Sequence, residues 1–260
     1  MGQAKWDPHQ YLAFADQRLR PALELLARVP LEQPRRVADL GCGPGNITGH
    51  LRSRWPTADL TGVDNSPEML SQAERQQIPG PPVRWEQDDL ATWAPLQPMD
   101  LIYSNAALHW IGDHGGQFPR LASLLAPGGV LAVQMPRNFA APSHVLMTTA
   151  AQAGPWREWL RPHMRAEPVA DPAFYYDALA PLCRTVDVWE TEYQQVLTGE
   201  NPVAEFTKGS WLKSLLDALQ EPERSQFEAE YRRLVLDAYP KRHAGKTLFP
   251  FKRLFIVAQF

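Results

Sequence analysis

The sequence predicts an α/β fold built on a doubly wound parallel sheet, and three observations predict it. Short apolar runs of strand character alternate with amphipathic helical segments up to about residue 136. A glycine-rich turn, Gly41-Cys42-Gly43-Pro44-Gly45, joins the first such run to a helix. An acid, Asp64, closes the next run, about 20 residues further on. Strands alternating with helices bury both faces of a parallel sheet, and this arrangement places ligands at the carboxyl ends of the strands.

The segment up to about Val29 reads as a helix, because Leu19, Leu23 and Leu26 recur at helical spacing, with Pro21 and Ala22 near its start. Residues 36–40 are a short strand that runs into the glycine turn, and Ile47, Leu51 and Trp55 share one face of the helix behind it. Residues 59–63 are the second strand. Ser66 then caps a helix whose first residue is Pro67. Residues 83–86 form a third strand ending at Asp88 and Asp89, and residues 100–104 a fourth. A helix over about 118–125 is expected to stop at Pro127-Gly128-Gly129, ahead of a fifth strand at 130–135.

Beyond that point the pattern changes. Residues from about 137 to 170 are rich in Pro and Trp and weakly periodic. A helix near 175–182, a strand near 186–193, a helical stretch over about 200–240 and a last strand at 253–258 follow. The chain reads as one domain, 1–260, in which helical insertions at about 137–170 and 200–240 lie over the C-terminal edge of the sheet and form a substrate cap.

Composition narrows the function classes. With 260 residues, 44% apolar and 21% charged, the chain is an ordinary globular protein. Its formal net charge of −3 gives no basic excess for nucleic acid. Cys42 and Cys183 form no CxxC pair, so neither zinc nor a dithiol is expected, and a reducing cytoplasm is the expected location. No apolar run approaches the ~18 residues of a membrane span, and Met1 to Pro8 lack the apolar core of a signal peptide.

The chemistry concentrates in Asp39-Leu40-Gly41-Cys42-Gly43-Pro44-Gly45. Glycines let the chain turn tightly and let a ligand approach the backbone. The helix start behind them offers free N–H groups and the positive end of a dipole. This is a Rossmann-like nucleoside site, with Asp64 and its neighbour Asn65 placed for ribose hydroxyls. A nicotinamide dinucleotide wants G-x-G-x-x-G, a spacing this loop does not meet, and Pro44 stiffens the loop where a pyrophosphate would rest. Asp39, two residues before the first glycine, suits a ligand with an amino group and a cationic sulfur rather than a dianion. S-adenosylmethionine is therefore favoured over NAD.

The same residues resemble motif I of class I methyltransferases. In that likeness Asp39, Gly41, Cys42 and Gly43 belong to the cofactor loop, Asp64 resembles the ribose-binding acid, and Asp89 with Leu90 resembles the pair at the adenine. Asn105-Ala106-Ala107 resembles the segment beside the methyl donor, and Met69 packs on the adenine or belongs to the core. The likeness extends along nearly the whole chain to the trans-aconitate methyltransferases. It is carried by Trp6-Asp7-Pro8, Tyr11-Leu12, Asn105-Ala106-Ala107-Leu108-His109-Trp110, Val133-Gln134-Met135-Pro136, His144-Val145-Leu146-Met147, Tyr175-Tyr176-Asp177 and Arg253-Leu254-Phe255. There are two departures. The family's Thr-Gly-Leu-Arg-Pro-Trp-Leu becomes Lys208-Gly209-Ser210-Trp211-Leu212, and its Met-Pro-Asp-Asn becomes Met135-Pro136-Arg137-Asn138.

The resemblance implies methyl transfer from S-adenosylmethionine to a carboxylate of trans-aconitate, giving a monomethyl ester and S-adenosylhomocysteine. A carboxylate with a pKa near 4 is already ionised at neutral pH, so no acid–base residue and no metal are expected. A tricarboxylate is held by cations and neutral donors. The candidates are Arg18, Tyr11, His109, Trp110, Tyr175, Lys208 and Arg253, with Arg20, Arg137 and Tyr176 as further ones. Trp6, Tyr11 and Phe14 form a lid over the cofactor or pack the first helix. Trp93 and Trp189 are expected in the core.

Overall fold

The computed structural model describes residues 15–164, 167–209 and 211–260, with side chains from residue 19 onward. In chain order the helices are α1 (Ala15–Ala27), α2 (Asn46–Arg54), α3 (Pro67–Ala73), α4 (His114–Ser123), α5 (Pro142–Ala153), α6 (Arg157–Leu160), α7 (Pro172–Leu179), α8 (Pro202–Lys208), α9 (Trp211–Asp217) and α10 (Glu223–Ala238). The strands are β1 (Arg36–Leu40), β2 (Asp59–Asp64), β3 (Arg84–Gln87), β4 (Met99–Asn105), β5 (Leu125–Pro136), β6 (Thr185–Leu197) and β7 (Thr247–Gln259). They form a seven-stranded sheet in the order β3-β2-β1-β4-β5-β7-β6. Strands β1 to β5 pair in parallel, whereas β7 runs antiparallel to β5. The sheet is therefore mixed rather than wholly parallel. The order reverses direction between β1 and β4, and the glycine turn leaves β1 at that switch point.

The chain divides into two compact units. The first holds Leu19–Pro136, Pro168–Thr191 and Arg253–Phe260. Its strands are buried on both faces, as in Val37, Leu40, Leu101, Ile102, Val130, Leu131, Val133, Leu254 and Ile256. Tyr103 lies within this core and donates to the Ala22 carbonyl at 2.6 Å. Trp93 is buried as expected. Trp189 is half-buried, stacked on Phe255 at 4.9 Å with the Arg28 guanidinium over its ring.

The second unit holds Arg137–Glu167 and Glu192–Lys252. It has its own core, in which Met147, Ala151 and Trp156 meet Leu212, Phe227, Tyr231, Phe249 and Phe251. A polar relay runs through it. The Lys252 N–H donates to Asn138 Oδ1 at 3.2 Å, Asn138 Nδ2 donates to Ser143 Oγ at 3.5 Å, and Ser143 Oγ meets His144 Nδ1 at 3.1 Å. Burial pushes the His144 imidazole down to about 4, so the ring is neutral near pH 7.

Three local expectations change. Pro21 lies inside α1 rather than near its start. The segment Pro127-Gly128-Gly129 is not a helix stop: α4 ends at Ser123 and β5 has begun at Leu125. Gly128 takes a positive φ of 81° there, the register with β4 slips between Met99 and Leu101, and the Gly128 N–H donates to the Phe260 carbonyl, so a tertiary contact holds the turn-prone residues as an irregularity within the strand. The stretch over 200–240 is three helices rather than one, broken at Gly209 and before Glu223. Among the described residues no helix is long and apolar enough to cross a membrane.

Candidate functional site

The glycine turn is held by its neighbours on both sides. The N–H groups of Gly41 and Cys42 both donate to the Val63 carbonyl, at 2.8 and 3.0 Å, which ties the turn to the end of β2. Gly41, Gly43 and Gly45 have φ of 74°, 53° and 81°, a region that costs any side chain. At Gly41 a second constraint applies, since a Cβ there would stand 2.1 Å from Ala107 Cβ. The turn thus lies directly against the segment that follows β4. Among the described residues a Cβ at Gly43 would meet nothing within 4 Å, so none of them closes that side of the loop.

Asp64 organises the loop. Its Oδ2 accepts from the Gly43 N–H and its Oδ1 from the Ser66 N–H, both at 2.9 Å. Each carboxylate oxygen has a second lone-pair site, which remains for a diol. Ser66 caps α3 by accepting from Met69 N at 3.2 Å, with Pro67 at the first helical position as the sequence predicts. Asn65 is exposed beside Asp64.

Asp39 is the buried charge of the site. It is 2% exposed, and Thr48 donates to its Oδ2 at 2.6 Å. Burial raises its pKa to about 7, the Thr48 hydrogen bond opposes the rise, and the nearby Asp64 charge adds to it. An acid held this way is most comfortable beside a cation. Cys42 is buried beside it, and burial with the two acids pushes its thiol far up, so it is no nucleophile.

The other cofactor candidates are close in the chain or the sheet. Asp89 is exposed and caps its own turn, with Oδ1 accepting from the Ala91 N–H at 2.9 Å. Leu90 is buried and its carbonyl accepts from Arg120 Nη2 at 2.6 Å. Met69 is buried in α3. Asn105 ends β4 in register with Gln134 of β5, and its Oδ1 is buried without a partner among the described residues. The next residue, Ala106, has a positive φ of 53°, and its N–H donates to the Gln134 carbonyl.

The substrate candidates divide more sharply. Arg253 is 4% exposed, in register with Pro136, and its Nη1 donates to Gln134 Oε1 at 3.3 Å. His109 is half-buried with its ring 4.8 Å from that of Trp110, which is 42% exposed. Tyr175 is corrected from substrate donor to support. It is fully buried, its hydroxyl meets His114 Nδ1 at 2.7 Å and accepts from the Ala170 N–H at 3.1 Å. The other ring nitrogen of His114 lies 3.0 Å from the Leu108 carbonyl, so Tyr175 braces the 108–110 turn. Lys208 is likewise corrected. It pairs with Glu228 and, at 3.8 Å, with Glu205, in a network that also takes Arg232. Its charge is answered locally. Arg20 pairs with Glu24 on the surface, and Tyr176 is half exposed. Tyr11 and the Arg18 side chain lie outside the described residues, as do Trp6 and Phe14.

Three residues that matter here were not picked out from the sequence. Thr48 carries no local signal, since its role depends on the turn returning α2 to Asp39. His114 is likewise revealed only by Tyr175. Gln134 did carry one: it is the polar break in Val130-Leu131-Ala132-Val133-Gln134-Met135. A groove of about 760 Å3 lies elsewhere, lined by the residues that begin β1 to β4, among them Arg36, Asp59, Arg84 and Met99. That is the opposite end of the strands from the glycine turn. Among the described residues no group of three His, Cys, Asp or Glu is placed to hold a metal.

Comparison with known proteins fits this geometry. A methyltransferase domain model matches residues 37–129, from β1 into β5. A trans-aconitate 2-methyltransferase of Azoarcus sp. is 48% identical over 97% of this chain and 98% of its own. The enzyme of that name from Streptomyces avermitilis is 47% identical, over 97% and 96%. The chain belongs to the trans-aconitate 2-methyltransferase family. A putative methyltransferase of Bacillus halodurans, 13% identical, shares the fold with a TM-score of 0.56 over 92% of this chain and 98% of that one. As a member of this methyltransferase family the chain uses S-adenosylmethionine. The residues present fit that cofactor: a buried acid suits a cationic ligand, an acid on β2 keeps acceptor sites for a diol, and Gly43 has no described residue within 4 Å of where a Cβ would stand.

Proposed function

We propose that the protein transfers a methyl group from S-adenosylmethionine to a carboxylate of trans-aconitate, giving the monomethyl ester and S-adenosylhomocysteine. The observation that carries the choice of an acid is Arg253, a guanidinium buried beside the ends of β4 and β5. A planar guanidinium is the side chain best matched to a carboxylate, to which it can donate two parallel hydrogen bonds. Relatives 48% identical over 97–98% of this chain carry the name of that reaction.

When bound, the cofactor supplies an activated methyl group on a sulfonium, which leaves as a neutral thioether. The substrate carboxylate is ionised at neutral pH, so its oxygen is already the nucleophile and no proton moves. The protein's part is placement. Asp64, held by the Gly43 N–H, would position the nucleoside, and Asp39 would answer the positive charge of the cofactor. Arg253, with His109 as a second donor, would hold the acid carboxylate in place for attack on the methyl group. A small diffusible acid as substrate is consistent with a cytoplasmic enzyme that needs neither nucleic acid nor a membrane.

The test is transfer from labelled S-adenosylmethionine to trans-aconitate, cis-aconitate, isocitrate and citrate, with an acid-free control. Transfer concentrated on trans-aconitate is expected. Cofactor binding with no transfer to any of the four acids would overturn the proposed substrate and leave the methyltransferase fold and cofactor standing.

A further inference from the structure

Gln134 is out of place by the logic of its strand. Its neighbours Val133 and Met135 are fully buried apolar residues, and Gln134 itself is fully buried. Its orientation is fixed by chemistry. Arginine has only donors, so the atom facing Arg253 Nη1 at 3.3 Å is the carbonyl oxygen, and the amide nitrogen points elsewhere. That nitrogen is buried and has no hydrogen-bond partner among the described residues. In the neighbouring strand, Asn105 is in register with Gln134, and its Oδ1 is also buried and unpartnered. Two buried amide atoms with no partner among the described residues therefore belong to register-paired residues at the ends of β4 and β5, and one of those residues touches a buried guanidinium.

An unpaired buried amide costs stability, and an apolar residue of the same size would avoid the cost. Nothing in the strand ladder requires a side-chain amide, because the backbone of β5 is already paired to β4 and β7. We infer that Gln134 binds a carboxylate of the acid substrate, forming one clamp with Arg253. Its oxygen holds the guanidinium in place, and its –NH2 donates to the same carboxylate that the guanidinium receives. The pairing is chemically matched: a carboxylate offers only acceptors, and the two side chains turn only donors toward it. The inference rests on the reading of the substrate as an acid.

The experiment uses the full-length protein and two variants. Gln134→Met keeps the bulk and removes both polar ends; Gln134→Glu keeps the contact to Arg253 but replaces the donor with a negative charge. Michaelis constants for trans-aconitate are measured alongside calorimetric affinities for S-adenosylhomocysteine and for trans-aconitate itself. Losing a hydrogen bond to a charged group should raise the acid KM by roughly ten- to hundredfold in Gln134→Met. Gln134→Glu should raise it at least as much, while cofactor affinity stays within about twofold in both. An unchanged acid KM in both variants, or an equal loss of affinity for both ligands, would overturn the clamp. Should the wild type transfer methyl to no acid, the substrate reading fails by itself, and calorimetry then decides the clamp: trans-aconitate binding that Gln134→Met weakens supports it, and no such binding or no weakening sinks it.

Discussion

Asp39→Asn tests the central claim about the cofactor loop, because one substitution should move stability and binding in opposite directions. Asp39 is 2% exposed and its pKa rises from the usual 3.8 to about 7. A carboxyl whose folded-state pKa is raised binds its proton more tightly when folded. Its effect on stability is therefore neutral below about pH 4 and turns against the folded state as pH rises toward 7. Above that pH the ionised group costs about 4 kcal/mol, the free-energy equivalent of the rise. Asparagine keeps an oxygen for Thr48 Oγ1 and removes the charge. At about pH 8 the variant should be more stable than the wild type by up to about 4 kcal/mol, and at about pH 4 the two should match. The same change should weaken S-adenosylmethionine binding by about 10- to 100-fold through loss of the ionic partner. Wild-type affinity should also fall below pH 7, by up to about tenfold per pH unit, as Asp39 must then give up a proton. Urea melts and calorimetric titrations across that pH range provide the readouts. A variant no more stable than the wild type at high pH, or equally stabilised at both ends, would refute the reasoning.

Further outcomes follow from the geometry of single residues. Gly41→Ala combines a positive φ with a Cβ 2.1 Å from Ala107 Cβ and should cost about 3 kcal/mol or more in a denaturant melt, whereas Gly43→Ala, strained but unobstructed, should cost about 1 kcal/mol. Tyr175→Phe strips a partner from His114 Nδ1 and from the Ala170 N–H, so it should lose about 1–3 kcal/mol of stability while the acid KM stays close to wild type. Lys208→Met should leave the acid KM unchanged; a large increase would return Lys208 to the substrate site despite its pairing with Glu205 and Glu228.

What was legible in the sequence follows the range of the forces involved. The glycine turn, Asp64 and the Ser66-Pro67 cap depend on a few neighbouring residues, and the structure places all of them as read. The boundary at residue 125 differs from the expectation because Pro127-Gly128-Gly129 has the local chemistry of a stop, while what ties it into the strand is Phe260, more than a hundred residues away in sequence. Tyr175 and Lys208 looked like donors for the same reason. Their actual partners, His114 and Glu228, are distant in sequence, so a residue-by-residue reading saw only unused polar groups. Gln134 is the converse case, since a polar residue in a run of buried apolar ones announces itself. The antiparallel β7 was not foreseen either: the pattern of a buried strand reveals that it is buried but not which way it runs.

The last strand binds the two units into a shared fate during synthesis. Its first half gives Phe249 and Phe251 to the helical core, and its second half gives Leu254, Phe255 and Ile256 to the sheet. Neither core can close before residues 249–256 have been synthesised, and until then the nascent protein must wait with both interiors incomplete. A truncation ahead of Thr247 would therefore leave no intact half behind, and the two units should be lost together rather than one surviving the other.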